Sequence, residues 1–151
     1  MQYWLLKSKP GAFSIADLKR NRVASWDGVR NYQARNMMRD LMKRGDLAFF
    51  NHSNCDEIGI AGIMTIACEG YPDRIAFNAD SKHFDPKRDS TKPRWFMVDV
   101  RYERCLKRII GLAELKGHPE LQDMPLLRGG NCLSITSVTK QQWDFILTLE
   151  E

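Results

Sequence analysis

The run Ser25-Trp26-Asp27-Gly28-Val29-Arg30-Asn31-Tyr32-Gln33-Ala34-Arg35-Asn36 joins a turn signal to a helix. Asp27-Gly28 is a turn pair, and a side chain just before it, here Trp26, can be displayed. From Asn31 onward, at about 100° per residue, Ala34, Met37, Met38, Leu41 and Met42 fall on one apolar arc. Arg35, Arg39 and Lys43 recur on a neighbouring arc, with Tyr32 among them. The pattern predicts a helix from about Asn31 to Lys43, ended by Gly45 as a C′ residue. A basic stripe with an interleaved aromatic, beside a displayed Trp, fits a nucleic-acid contact with a slot for a base. An amphipathic helix with a solvated face and a Trp in the core fits the same residues.

Outward from this run, elements of both kinds alternate irregularly. Tyr3 to Lys7 reads as a short strand, and Ser14-Ile15-Ala16-Asp17 as a capping box opening a short helix. Leu47 to Asn51 reads as a buried strand with His52-Ser53-Asn54 as its exit turn. Ile58 to Ala67 is a strand apolar on both faces, whose Gly59 and Gly62 signal a bulge or a close backbone approach. Glu69 to Arg94 reads as a long loop. Phe96, Val98, Val100 and Tyr102 alternate with Trp95, Met97, Asp99 and Arg101, a half-buried strand with Trp95 on the face opposite the Phe96 set. A short helix is expected at Leu112–Lys116 and a strand at Leu133–Val138. The capping box Thr139-Lys140-Gln141-Gln142 opens a last helix with Trp143, Ile146 and Leu147 on its apolar face. Without a regular βαβ alternation, this order predicts one α+β domain over residues 1–151, built around a small, partly closed barrel.

Composition narrows the function. Of 151 residues, 43% are hydrophobic, enough for a core without disulfides or metal. Twenty-three basic against 19 acidic residues give a formal charge of +4, which permits a nucleic-acid partner without requiring one. Basic residues concentrate at Lys7–Lys9, Lys19–Arg22, Arg30–Arg44, Lys82–Arg94 and Arg101–Arg108. Cys55, Cys68, Cys105 and Cys132 have no zinc-ligand spacing, and Cys68 and Cys105, in apolar runs, are expected to be buried thiols. No metal and no cofactor are expected. No run approaches a membrane span or a signal peptide, so a soluble intracellular protein is expected, cytoplasmic, or nuclear in a eukaryote. His52-Ser53 does not form a nucleophile pair, because adjacent strand residues face opposite sides. No nucleophile elbow or P-loop is present, and no enzyme is expected.

The chain resembles an EVE domain, a member of the PUA-like superfamily related to YTH domains. The resemblance covers nearly the whole length. It rests on Tyr3-Trp4-Leu5-Leu6-Lys7-Ser8 with Pro10, the Trp26–Asn36 run, Phe49-Phe50 and His52-Ser53. It continues through Gly59-Ile60-Ala61-Gly62, Tyr71-Pro72-Asp73, Phe84-Asp85-Pro86, Pro93-Arg94-Trp95 with Val98-Asp99-Val100, Leu115-Lys116, Leu133-Ser134-Ile135 and Trp143. Lys9, Cys132 and Ser137 depart from the family's usual Glu, Arg and Pro. The resemblance implies a PUA-like barrel of about five to six strands flanked by helices, with a pocket for one extruded base. It further implies a non-enzymatic reader of a modified base, especially a modified cytosine such as 5-methylcytosine, in DNA or RNA. No membrane partner is expected, and a monomer is favoured.

For such a pocket, Trp26 is the first stacking surface, with Phe84 or Trp95 as a second wall. Asn31, Ser8 and Ser53 offer hydrogen bonds to a base edge, and Asp85 an acceptor for an exocyclic amine. Tyr32 and His52 complete the candidate set. Asn31 also fits an N-cap, and Asp85 a turn start. Lys7, Arg30, Arg35 and Arg39 are the candidate phosphate contacts, for which solvated surface charges are the alternative. The rival reading of the whole chain is a protein-interaction module that binds no nucleic acid.

Overall fold

Alternation of side chains along its inner strands determines how the molecule is layered. The computed structural model describes residues 1–11, 13–26, 31–53, 58–72, 95–124 and 134–150. In β1 (Tyr3–Ser8), Trp4 and Leu6 enter one core cluster while Leu5 enters another. In β3 (Leu47–His52), Phe50 and Phe49 divide the same way. The sheet is therefore buried on both faces, as period-2 side-chain direction requires.

Six strands form one mixed sheet in the order β2-β5-β4-β3-β1-β6, with β2 (Val23–Trp26), β4 (Gly59–Pro72), β5 (Phe96–Gly111) and β6 (Ile135–Val138) completing it. β1 and β3 run parallel, with Ser8 opposite His52 at their carboxyl ends, and the other pairings are antiparallel. The fold is α+β as expected, and among the described residues the sheet ends at β2 and β6 with no pairing between them, which leaves the expected partly closed barrel open on that side. β4 and β5 bend through four register shifts.

Helices cover both faces. The first cluster holds Ile15 and Leu18 of α1 (Ile15–Asn21) and Ala34 of α2 (Tyr32–Asn36). It also takes Met38 from the turn that continues α2 and, just beyond, Met42. The second cluster holds Leu115 of α3 (Leu112–Lys116), and Trp143 and Ile146 of α4 (Lys140–Thr148). Both expected capping boxes form. Ser14 Oγ accepts from Asp17 N–H while Asp17 accepts from Ser14 N–H, and Thr139 and Gln142 repeat the exchange.

Several expectations are corrected. The segment after Asn31 is not one α-helix: α2 passes into a π-helical turn at Met37–Leu41. The wider turn alters the angular spacing, so Leu41, expected on the apolar arc, is 54% exposed. Gly45 is not a C′ residue; it follows the helix by several positions, at φ +94°, with its N–H bonded to Ile66 O. β4 runs on to Pro72, into the stretch expected as loop. β2 was not expected at all. Cys68 and Cys105 are exposed, because each lies beyond a register shift that re-aims its strand. Trp95 and Met97 are buried along with Val98, so β5 begins in the interior on both faces. The Asp27-Gly28 turn, most of the expected loop, Cys55 and Cys132 lie outside the described residues.

The strand glycines meet their expectation. A Cβ at Gly62 would lie 2.6 Å from Ile15 Cδ1, and one at Gly59 2.4 Å from Ile110 O. Gly70 allows the π turn onto β4: a Cβ there would lie 2.3 Å from Met38 O. Buried Asp46 ties this turn to β1 by accepting from Gln2 N–H, Trp4 Nε1–H and Lys43 N–H at 2.9–3.1 Å. Arg22, between α1 and β2, holds φ 69°, ψ −46°. That region costs an L-residue about 1–3 kcal/mol, so the surroundings must over-determine it. They do so through Arg22 N–H to Leu18 O at 2.7 Å and Tyr102 N–H to Arg22 O at 2.8 Å.

Candidate nucleic-acid interface

Two groups of expected site residues assemble on the α1/α2 side of the sheet. The first gathers at the carboxyl ends of the parallel pair. Ser53 N–H continues the ladder to Ser8 O at 2.9 Å, and Ser8 Oγ–H donates to Phe13 O at 2.7 Å. His52, 8% exposed, accepts the Ile15 N–H at Nε2, 3.2 Å away. That nitrogen is therefore unprotonated, and it holds the first helical residue of α1 against the strand end. Phe50 is the hub of the surrounding rings. Trp26 meets it edge-on at 5.4 Å, His52 at 5.5 Å, and Phe13 lies 6.2 Å away. Trp26 is only 8% exposed, so the residue expected to be displayed is largely built into the core. Ser8, His52, Ser53 and Trp26 thus lie around one aromatic centre.

The second group rides on α2. Asn31 is the N-cap: its Oδ1 accepts from Ala34 N–H at 3.0 Å, leaving the amide donors outside the cap. Tyr32, 53% exposed, stacks on Trp95 at 4.9 Å and 24°. The Arg35 guanidinium lies 5.0 Å over the Tyr32 ring. Trp95 is therefore the covered floor beneath Tyr32 rather than an open wall.

The basic stripe is real but partly compensated. Arg39 holds Asp40 through Nε and Nη2, both at 2.8 Å, and its guanidinium lies 5.9 Å from the Phe96 ring centre. That hydrogen bond holds the Asp40 carboxyl below its usual range and raises Arg39 further. Arg35 Nε donates to Asn36, and Lys43 lies 4.0 Å from Glu69. A phosphate would have to compete with these local acceptors, so only part of each cation's attraction is available.

Sequence reasoning missed a polar cluster beside Trp26. On the outer face of β2, Ser25 Oγ and Tyr71 Oη both bond Asp99 Oδ1, at 3.0 and 2.5 Å. Burial and the Asp99 contact push the Tyr71 phenol above its usual range. The signal was absent because β2 itself was unread. Arg30, Phe84 and Asp85 lie outside the described residues. A cleft of about 220 Å³, lined by Gln2, Trp4, Met37, Leu41 and Ser137, contains none of the expected base contacts. Among the described residues, no cluster suits a metal ion, and no helix is long and apolar enough to cross a membrane.

Comparisons with known proteins agree over the whole chain. Human thymocyte nuclear protein 1 is 45% identical, spanning 99% of this chain and 74% of its own length. A Pseudomonas syringae protein of known structure superposes with a TM-score of 0.96 at 46% identity, covering 99% of both chains. The structure of human THYN1 in complex with 5-methylcytosine-containing DNA superposes at 0.93 with 45% identity, covering 100% of this chain and 98% of that one. A Zymomonas mobilis ASCH protein, 11% identical at TM-score 0.59, shares the fold alone. The EVE domain model matches residues 2–149, and the chain belongs to the EVE-domain family.

Proposed function

We propose that this chain is a non-enzymatic reader of 5-methylcytosine in DNA, taking the base, flipped out of the helix, at the strand-end cluster. The observation that carries the reading is the full-length likeness to human THYN1, whose structure holds DNA with that base. Flipping costs a few kcal/mol, and stacking returns about 1–3 kcal/mol per base. Trp26 supplies the stacking surface, and phosphate contacts from β1, α2 and the turn that continues it supply the rest. Cytosine presents an amine donor at N4 and acceptors at N3 and O2. The Asn31 amide donors address the acceptors. The Ser8 oxygen, whose own proton is committed to Phe13 O, accepts from the amine. His52 acts by seating α1 through Ile15, not by touching the base with Nε2. Tyr32, on Trp95, forms the rim, and Lys7, Arg35 and Arg39 hold flanking phosphates. A 5-methyl group gains only about 0.8 kcal/mol on burial, so discrimination depends on a close fit around it.

The test is fluorescence anisotropy on matched duplexes carrying cytosine, 5-methylcytosine or 5-hydroxymethylcytosine at one position. A several-fold preference for the methylated duplex, reduced in Trp26→Phe, is expected. Equal binding to all three, or none, overturns the reading and leaves a protein-interaction module. Phenylalanine is the chosen replacement because alanine at Trp26 would empty a core position.

A further inference from the structure

Two basic clusters play no part in the site just described: Lys19–Arg22 and Arg101–Arg108. The fold brings their near ends together. β2 pairs Val23 with Arg101, and Arg22 O accepts from Tyr102 N–H. α1 packs against both β5 and β2. Arg20 is paired with Asp17, and Arg104 with Glu150. Arg101 alternates with Val100 and Tyr102, which pack in the cluster of α1, so it leaves β5 on the opposite face. Lys19 and Arg22 are exposed and have no ion pair among the described residues.

Arg22 is the unusual member. Its φ of 69° suits glycine, yet the position holds a long cation at the rim of an edge strand. Local stability does not account for that choice, whereas a charge presented at this corner does.

Two elements measure the distance from this corner to the strand-end cluster. α1 starts beside His52 and ends at Arg22, about 10 Å away at 1.5 Å per residue. β2 runs from Arg22 to Trp26, about 13 Å at 3.3 Å per residue. One DNA strand carries a phosphate about every 3.4 Å of axis. Phosphates also wind around that axis, so each backbone step is longer than the rise, and both elements place the corner about two nucleotides from the flipped base.

We propose that Lys19 and Arg22 form a second phosphate-binding surface, which holds the DNA backbone about two nucleotides to one side of the flipped base. The proposal rests on the reader function above. It makes the footprint one-sided, because the corner extends the interface in one direction only.

The experiment compares wild type, Arg22→Gly and Lys19→Gln/Arg22→Gly on three 5-methylcytosine duplexes. One extends ten base pairs on both sides of the base, and two are cut to one base pair on one side or the other. Glycine relaxes the backbone at position 22, so thermal melting of Arg22→Gly should match or exceed wild type. On the long duplex the double variant should lose about 1.8 from the slope of log K against log salt, near 0.9 per phosphate contact. The same loss should appear on one truncated duplex and vanish on the other. Equal losses on all three duplexes, or none on the long one, overturn the proposal. If wild type shows no preference for 5-methylcytosine over cytosine, the reader function fails; a one-sided salt effect would still stand by itself.

Discussion

Gly70→Ala would test whether the π turn is seated by backbone contact alone. The added Cβ would lie 2.3 Å from Met38 O and 3.0 Å from Met38 C and Arg39 Cα. Ordinary contact starts at 3.4 Å, so the turn must retreat by about 1 Å. All three atoms are backbone, and no rotamer change relieves them. The retreat lifts Met38, fully buried, from its cluster and carries Arg39 with it. Forced overpacking of this kind costs about 1–3 kcal/mol, a sizeable share of a total near 5–15 kcal/mol. Urea denaturation should show a loss near 2 kcal/mol, and melting a fall of about 4–8 °C for a chain this long. Affinity for methylated duplex should fall as well, because Arg39 is displaced. Gly11→Ala, with nothing within 4 Å of the new Cβ, is the control and should be neutral. A Gly70→Ala protein within about 0.5 kcal/mol of wild type would refute the steric argument.

Two further outcomes follow from the geometry. Tyr32→Ala removes the cover of Trp95, so tryptophan emission should shift to the red at a stability cost of about 0.5–1.5 kcal/mol; unchanged DNA affinity would take Tyr32 out of the interface. Glu150 binds Arg104 through both carboxylate oxygens and accepts from Lys107 N–H, and the Arg104 hydrogen bond holds its carboxyl below the usual range. A depressed carboxyl stabilises the fold above its unfolded pKa and loses that effect as pH falls through the folded value. Glu150→Gln should therefore be about 1–2 kcal/mol less stable than wild type at neutral pH, the half-exposed guanidinium limiting the effect. The gap should begin to narrow below about pH 4.3, where the unfolded carboxyl takes up its proton; a gap constant to pH 3 would contradict the assignment.

What was legible in the sequence was local. The capping boxes at Ser14 and Thr139, and α3 at Leu112–Lys116, depend on residues within one turn of each other, and each forms where expected. Gly59 and Gly62 were read correctly because a glycine in an apolar strand has few other uses. β2 was illegible because only Trp26 of its four residues is buried, and its strand character comes from pairing with residues 98–101. Leu41 and the two exposed cysteines were misread for a shared reason. Each follows a change of period, a π turn or a register shift, and periodicity cannot be carried through such a change. At the site, the sequence offered both fates for Asn31 and Trp26. The structure adopts the cap for one and a near-core position for the other. The dual role of His52, at the strand end and beneath α1, needed the contact with Ile15 to become visible.

The place of β1 in the sheet has a consequence for synthesis on the ribosome. β1 emerges first, and one flank of Tyr3-Trp4-Leu5-Leu6 pairs with β6, where Leu6 meets Ile135. At ordinary elongation rates that partner arrives on the order of ten seconds later. Until then the nascent chain carries a flat apolar strand with an open edge, the kind of segment that recruits other strands. Completion of this sheet therefore waits for β6, and slowing translation between the codons of β1 and β6 would lengthen the interval in which newly made chains aggregate.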